Sequence, residues 1–287
     1  MELFRIIKKD ARRALGFCGG RSVAAAMIMA LAYLAVSITE GILLYIVNGA
    51  EAFEEDFYAL ADTSPETLAV IGICAVMYAL ILPGVYLGNI KLHVAFAEGK
   101  DESLSTLFDM FSSFKKYIKA IFFSVFMAIR LAVTAVIFAA PGLGVLYCAD
   151  TFIPKGTPTL EILKIGAICV GLSVAITGFG AFLVFAQRWF LAPYYFAEGN
   201  KIGKAFSLSV KATKEVRSDI IRFNLSFIGW ALLSFLILPL LWSVPYYFTA
   251  SAIYAKFLME KYEHSLAQVP ETFEHEEEEP TPGQEKD

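Results

Sequence analysis

Two ionisable side chains lie inside long apolar stretches of the sequence, where a charge is costly. Glu40 lies within the run from Ser22 to Val47, and Arg130 lies within the run from about Ala120 to Cys148. Because an unpaired charge is unfavourable in hydrocarbon, opposite charges in such segments are expected to face inward and pair. We expect an ion pair between Glu40 and Arg130, made directly or through water. The alternative is that each side chain finds polar surroundings by itself.

No other set of residues has the types and spacing that enzyme chemistry requires. The histidines are His93, His264 and His275, and the last two lie in a polar tail, so they cannot build a metal site. The sequence contains no nucleotide-binding glycine loop, zinc-protease motif or serine elbow. We predict a protein that is not an enzyme and that needs no metal or other cofactor.

The apolar stretches have the length of membrane spans. Hydrophobic residues make up 57% of the 287 positions and charged residues only 18%. About 20 apolar residues cross the roughly 30 Å hydrocarbon layer of a bilayer. The segments that qualify are Ser22–Val47, Thr67–Gly88, about Ala120–Cys148, Ile165–Ala186, about Phe223–Trp242 and Val244 to about Met259. The sequence therefore predicts an all-α, polytopic membrane helical bundle with six transmembrane helices.

The last two predicted spans are joined by only a few residues. Pro239 and Pro245 lack backbone donors and interrupt helices. Trp242, Tyr246 and Tyr247 are residue types that concentrate at membrane–water interfaces. We expect a tight external hairpin between Pro239 and Pro245, with a re-entrant pair as the alternative.

Lysine and arginine are concentrated in every second segment that connects the predicted spans. They are frequent before the first span and after the second and fourth spans, whereas the acidic segment between the first two spans has none. Since segments rich in lysine and arginine stay in the cytoplasm, we predict a cytoplasmic N-terminus. An even number of spans then places the C-terminus in the cytoplasm as well.

The spans divide the chain into three regions. Residues 1–21 are predicted to form a basic amphipathic helix, residues 22–262 the transmembrane domain, and residues 263–287 a disordered acidic tail rich in glutamate. We expect the N-terminal helix to bind the anionic lipids of the inner leaflet, although the same residues also suit a plain cytoplasmic flank. The basic residues concerned are Arg5, Lys8, Lys9, Arg12 and Arg13. A protein partner is not identified by any motif, and no nucleic-acid partner is predicted.

A short repeat divides the transmembrane region. Phe96-Ala97-Glu98-Gly99 recurs as Phe196-Ala197-Glu198-Gly199. Each copy follows an uncharged span and precedes a connector with apolar residues at helical spacing, over residues 103–117 and 202–216. We predict two amphipathic surface helices and a parallel internal repeat of span, surface helix and span. Such repeats occur in transporters, and simple duplication of a stable helical hairpin is the alternative.

The C-terminal half carries a recognisable pattern. Its residues are Arg188, Ala192-Pro193-Tyr194, Ser209, Leu225-Ser226-Phe227-Ile228-Gly229-Trp230, Trp242, Pro245-Tyr246 and Tyr254. With these, the chain from Gln187 to Tyr254 resembles a bacterial family of integral membrane proteins, domain-of-unknown-function family 975. Ala11-Arg12-Arg13-Ala14-Leu15 also resembles that family's opening helix, whereas Thr213-Lys214-Glu215 departs from the family's Met-Lys-Gly turn. The resemblance implies a bacterial plasma membrane and implies no activity.

The pattern residues admit two roles. Ser226 and Trp230 are four residues apart, so one helix would place them on the same face. That face would pack between helices, or it would form a ligand site with Arg188 and Tyr246. The sequence favours a non-catalytic membrane scaffold or accessory protein in envelope or lipid homeostasis. The alternative is a transporter or permease-like protein with a site between the repeats, which would need a water-filled cavity lined by Glu40 and Arg130.

Overall fold

A computed structural model describes residues 2–49, 64–153, 157–234 and 237–268, and within these ranges the chain is helical and contains no strand. The elements are α1 Glu2–Asn48, α2 Pro65–Ala97, a 3-10 segment Leu104–Phe111, α3 Phe114–Phe152, α4 Pro158–Ala186, a 3-10 turn Gln187–Trp189, α5 Ala192–Ala197, α6 Ile202–Ala212, α7 Arg217–Leu225, α8 Ile228–Leu233 and α9 Ile237–Ala267. Most of the acidic segment after the first span and residues 269–287 of the predicted tail lie outside the described residues.

Four helical stretches have the length and apolar composition of membrane spans. Among the described residues these are Glu2–Asn48, Pro65–Ala97, Phe114–Phe152 and Pro158–Ala197. They contain the first four predicted spans. Their starts follow local signals: Ser64 accepts a hydrogen bond from the Thr67 amide ahead of α2, and a proline opens both α2 and α4.

The fifth predicted span is not a single helix. The chain breaks at Ser226 and Phe227, and the following helix α8 has only six residues, about 9 Å of rise. The expected hairpin between Pro239 and Pro245 is also wrong, because α9 runs through both positions. Pro239 lies in the first helical turn, where no amide donor is needed. Helix α8 already ends at Leu233, before both prolines.

The N-terminal segment is continuous with the first span. No proline interrupts α1, and its 47 residues extend for about 70 Å, more than twice the thickness of a bilayer core. The part predicted as a separate surface helix packs on protein: Ile7 and Ala11 are buried, and the Phe4 ring contacts Phe223 and Tyr254. One face of the N-terminal helix is therefore covered by α7 and α9.

The two copies of the Phe-Ala-Glu-Gly tetrapeptide adopt the same turn. Gly99 and Gly199 both have positive φ, 72° and 94°. Each glycine amide donates to the carbonyl three residues earlier, and the next amide donates to the carbonyl five residues earlier, which is the hydrogen-bond pattern that closes a helix C-terminus. After each turn a helical connector follows. The second, α6, covers residues 202–212 of the range predicted as 202–216, whereas the first, predicted over residues 103–117, is a 3-10 segment that ends at Phe111.

The buried core lies at one end of the bundle. We call this the basic end, because the N-terminal basic residues of α1 lie there. Its centre is aromatic, with the Phe123 ring stacked between Phe196 and Phe206 at centroid distances of 4.6 and 5.1 Å. Away from this end α3 and α4 pack as a pair, with Gly178 against the backbone of Phe138. The outward faces of α3 and α4 stay apolar and exposed, as expected of lipid-facing helices.

Candidate functional site

A basic groove lies between the N-terminal part of α1 and the end of α7. The Lys8 ammonium donates a 2.8 Å hydrogen bond to the Ser226 carbonyl and lies 4.4 Å from the Phe227 ring centroid. The groove has a volume of about 750 Å³. It is lined by Phe4, Arg5, Lys8, Lys9, Arg12, Arg13 and Ser226. Five of these lining residues are cationic, and none of them is acidic.

An apolar cavity of about 560 Å³ adjoins this groove. Arg12 lines both spaces, and its guanidinium carbon lies 5.6 Å from the Tyr246 ring centroid. The cavity is otherwise lined by Leu15, Gly16, Phe17, Gly19, Gly20, Trp230, Trp242 and Tyr246. The side chains of Phe17 and Trp242 are largely exposed. A cationic groove and an aromatic, apolar cavity that share Arg12 as a lining residue together have the polarity that suits an amphiphile with an anionic head.

A third cavity lies between α4, α7, α8 and α9. It has a volume of about 600 Å³, and Gln187, Asn224 and Tyr247 are among the residues that line it. The Tyr247 hydroxyl donates to Asn224 Oδ1 at 3.1 Å, and the Asn224 amide donates to Gln187 Oε1 at 3.3 Å. Most of the remaining lining is apolar. This chain of hydrogen bonds holds α7 between α4 and α9 on the wall of an apolar space.

The predicted ligand residues are only partly brought together. Ser226 lines the basic groove, and Tyr246 and Trp230 line the adjoining apolar cavity with their rings 5.6 Å apart. The helix break after Leu225 removes the single face that Ser226 and Trp230 were expected to share. Arg188 lines neither the basic groove nor the adjoining apolar cavity, and its guanidinium carbon lies 4.4 Å from the Phe185 ring centroid.

The other family-pattern residues have packing roles. Pro193 is buried in the first turn of α5, and Pro245 lies inside α9. The Ser209 hydroxyl donates to the Arg188 carbonyl at 2.9 Å and accepts from the Leu191 amide at 3.1 Å. The buried Tyr254 ring lies 4.5 Å from Phe223. A Cβ added at Gly229 would meet no atom within 4 Å, so no close contact explains this glycine.

Glu40 and Arg130 form no direct ion pair. Among the described residues neither forms a salt bridge, and the charge of Glu40 acts on Cys74 of α2. The Arg130 guanidinium carbon lies 4.4 Å from the Phe126 ring and 4.8 Å from the Phe206 ring. Arg130 thus faces the aromatic core of the basic end, whereas Glu40 lies on the distant half of α1.

The structure also places Ser22 against His93, a pair that the sequence did not indicate. Ser22 Oγ lies 2.7 Å from His93 Nε2, and His93 Nδ1 lies 2.8 Å from the Asn89 carbonyl. The carbonyl can only accept, so Nδ1 carries the proton and the Ser22 hydroxyl donates to Nε2. A serine nucleophile needs access to substrate. Ser22 is 0% and His93 1% exposed, so this pair fastens α1 to α2 instead.

The two repeated turns meet at Lys256 of α9. Lys256 forms a salt bridge with Glu98, which also pairs with Lys100 at 2.5 Å. The hydrogen bonds from Lys100 and Lys256 hold the pKa of Glu98 below its ordinary value. The pKa of Glu198 is raised, first by burial and then by the charges of Glu263, Glu98 and Glu260, although Lys256 opposes this. Identical tetrapeptides thus place their carboxylates in opposite electrostatic surroundings.

This architecture defines an all-helical protein in which four helical stretches of the described chain have the length and composition of membrane spans. The chain belongs to the family described as protein of unknown function (DUF975), whose model matches residues 7–261. The match confirms the resemblance and extends it over the middle of the chain. Comparison with curated proteins and with solved structures finds no match.

Proposed function

We propose that this protein is a non-catalytic scaffold or accessory protein of the bacterial plasma membrane, which acts in envelope or lipid homeostasis by binding anionic lipid at its basic end. The observation that carries the proposal is that Arg12 lines both the basic groove and the apolar cavity. A phospholipid has the complementary form, with an anionic head next to apolar chains. Trp230, Trp242 and Tyr246 are residue types that suit the interfacial level of such a lipid.

The proposed topology has both termini in the cytoplasm. The positive residues of the N-terminal segment support this orientation. The contact between Phe4 of α1 and Tyr254 of α9 supports a common side for the two terminal helices. We propose four full crossings followed by a re-entrant hairpin of α8 and α9, because α8 rises by only about 9 Å. Four crossings and six crossings both return the chain to the side on which it began.

The proposed hairpin satisfies its polar groups internally. The Ser234 hydroxyl bonds to the Trp230 carbonyl at 2.8 Å and also to the Ser243 hydroxyl of α9. Irregular backbone at membrane depth is tolerated where protein groups satisfy it in this way. The two serines lie on opposite arms of the hairpin, so their bond closes it.

Native mass spectrometry of the full chain in detergent tests the lipid-binding proposal. The probes are phosphatidylglycerol, which is anionic, and phosphatidylcholine, which has no net charge. The test variant replaces Arg5, Lys9 and Arg13 with Gln and keeps Lys8 and Arg12, which contact α7 and α9. The control variant replaces Lys201, Lys204 and Lys211, three exposed lysines in and beside α6, with Gln.

We expect wild type and the control variant to retain phosphatidylglycerol in preference to phosphatidylcholine. The groove variant should lose at least about 10-fold in phosphatidylglycerol affinity, since several charge-assisted contacts are removed. Equal retention of the two lipids by wild type, or an equal loss in both triple variants, would refute a specific groove.

The alternative is a transporter or permease-like protein with a site between the repeats. It is favoured by the meeting of the two Phe-Ala-Glu-Gly turns at Lys256, which would mark a parallel repeat of span, connector and span. The cavities described above are lined by neither Glu40 nor Arg130. If a polar pathway nevertheless opens, Glu40→Cys and Arg130→Cys should both react with a membrane-impermeant thiol reagent. Protection of both positions favours the scaffold.

A further inference from the structure

The connector helix α6 gathers three arginines from different parts of the chain. Phe206 and Ser209 lie on one face of α6, Thr213 directly follows this helix, and Arg217 begins α7 after a short turn. The Arg130 guanidinium lies over the Phe206 ring at 4.8 Å. Ser209 and Thr213 donate to the Arg188 carbonyl at 2.9 and 3.2 Å.

Arg217 belongs to the same neighbourhood as Arg188. Helix α7, which Arg217 opens, packs against the 3-10 turn that carries Arg188, and α6 packs on that turn as well. The positive charges of Arg217 and Arg130 both act on the Arg188 guanidinium. Three cations therefore border one face formed by α6 and the turn after α4. We call these residues the arginine cluster.

The arginine cluster has no counter-charge within the described part of the chain. None of its members forms a salt bridge there. The Nε atoms of Arg188 and Arg217 are buried and have no hydrogen-bond partner. Other arginines of the basic end, such as Arg21 and Arg222, pair with Asp101 and Asp219. Since like charges repel and buried donors require acceptors, a bound anion would stabilise the arginine cluster.

The position of the arginine cluster indicates which anion would fit. The 22 residues from Leu131 to Phe152 complete α3 and rise by about 33 Å, enough to cross a bilayer core. Arg130 thus lies at the level where α3 would leave the hydrocarbon, and Arg188 directly follows the apolar part of α4. Next to them Ile129, Val133 and Val184 are exposed. An anionic group at this site would have apolar chains beside it.

We propose that Arg130, Arg188 and Arg217 form a binding site for the phosphate group of an anionic phospholipid. The planar guanidinium groups donate paired hydrogen bonds to phosphate oxygens, and the orphaned Nε atoms supply further donors. The site is separate from the basic groove of α1, although it shares with the proposed function the placement of the chain in a membrane. Inorganic phosphate offers the same oxygen atoms, so the test must distinguish the two sources.

The experiment measures lipid binding by native mass spectrometry of the full chain in detergent. The probes are phosphatidylglycerol, diacylglycerol, which lacks the phosphate, and inorganic phosphate added as a competitor. Arg217→Gln is the principal variant because it removes the guanidinium that opens a short helix. Arg217→Lys keeps the charge and loses the planar fork. Arg222→Gln, on the same helix and paired with Asp219, is the matched control, and thermal unfolding verifies that each variant is folded.

We expect Arg217→Gln to lower the affinity for phosphatidylglycerol at least about 10-fold, Arg217→Lys to lower it less, and Arg222→Gln to leave it unchanged. Wild type should retain phosphatidylglycerol and not diacylglycerol, and millimolar inorganic phosphate should not displace the lipid. Displacement would identify free phosphate as the ligand and would overturn the lipid assignment. Arg217→Gln should cause the same further loss when it is introduced into the variant that lacks Arg5, Lys9 and Arg13, so failure of the groove and failure of the arginine cluster are separable.

Two further outcomes would overturn the proposal. One is unchanged phosphatidylglycerol binding by folded Arg217→Gln. The other is binding that depends on Arg217 only after residues 269–287 are removed. In that case the glutamates of the C-terminal tail, rather than a phosphate, would be the anion that the arginine cluster holds in the intact chain.

Discussion

The ammonium group of Lys8 donates a hydrogen bond of 2.8 Å to the carbonyl oxygen of Ser226. The bond joins positions 218 residues apart, so it links the beginning of the chain to its last third. Ser226 is the residue at which α7 ends, where backbone carbonyls have no partner within the helix. Lys8 therefore supplies a donor and a positive charge at a helix C-terminus, which also favours cations. This contact fixes one wall of the basic groove.

Replacing Lys8 with Met should loosen the N-terminal part of α1. The side chain keeps its length, but the Ser226 carbonyl loses a charged donor, which costs roughly 1–2 kcal/mol. For a chain of this size we expect the melting temperature in detergent to fall by about 2–6 °C. Lys9→Met is the control, since Lys9 is exposed and makes no such bond. Equal melting temperatures for the two variants would show that the Lys8 bond does not stabilise the fold.

Glu98 and Glu198 should respond oppositely to removal of their charge. The pKa of Glu98 is lowered by Lys100 and Lys256, so its stabilisation is present above the ordinary pKa and is lost as pH falls through the lowered value. Glu98→Gln should therefore lower the melting temperature at pH 7 and weaken the loss of stability on acidification below about pH 4. Melting curves between pH 3 and pH 8 provide the measurement.

For Glu198 the expected change in melting temperature has the opposite sign. Burial raises its pKa, so stability decreases as pH rises from the ordinary value through the raised one, and the penalty persists at neutral pH. Glu198→Gln should thus raise the melting temperature at pH 7. If both variants shifted the melting temperature in the same direction, the two copies of the tetrapeptide would have equivalent surroundings, contrary to the structure.

Gly88→Ala should separate α2 from the 3-10 segment Leu104–Phe111. A Cβ at position 88 would lie 1.9 Å from the Leu107 carbonyl oxygen, and backbone cannot move aside easily. We expect a loss of roughly 2–3 kcal/mol in the free energy of unfolding. Gly72→Ala in the same helix is the matched control, because no atom lies within 4 Å of its Cβ. That control should be neutral or gain up to about 1 kcal/mol from helix propensity.

Cysteine labelling from outside the cell tests the re-entrant hairpin. In a chain whose four native cysteines are replaced with Ala, Thr151→Cys marks the end of α3 that the topology places outside. We expect a membrane-impermeant maleimide to label Thr151→Cys and to leave Ser234→Cys unlabelled. Comparable labelling of both positions would mean that α7 and α8 cross the membrane completely, as the six-span prediction proposed.

The sequence by itself determined the elements whose signals are local. Long, predominantly apolar runs predicted the first four spans, since length and composition alone decide whether a helix suits a bilayer. A glycine with positive φ closes the helix end at each copy of the tetrapeptide, whereas the parallel repeat of spans inferred from these copies stays a prediction. The pattern from Gln187 to Tyr254 also indicated the family.

The tertiary structure decided which side chains meet. Hydropathy placed Arg130 near the middle of a span and suggested Glu40 as its partner, yet packing on α6 brings Arg130 to Phe206 and the neighbourhood of Arg188. Proline chemistry predicted a hairpin between Pro239 and Pro245, but a helix tolerates proline when its neighbours support it, so α9 runs through both positions. Contacts between residues 80 to 220 positions apart, such as Ser226 with Lys8, depend on how helices pack, and no local pattern in the chain encodes them.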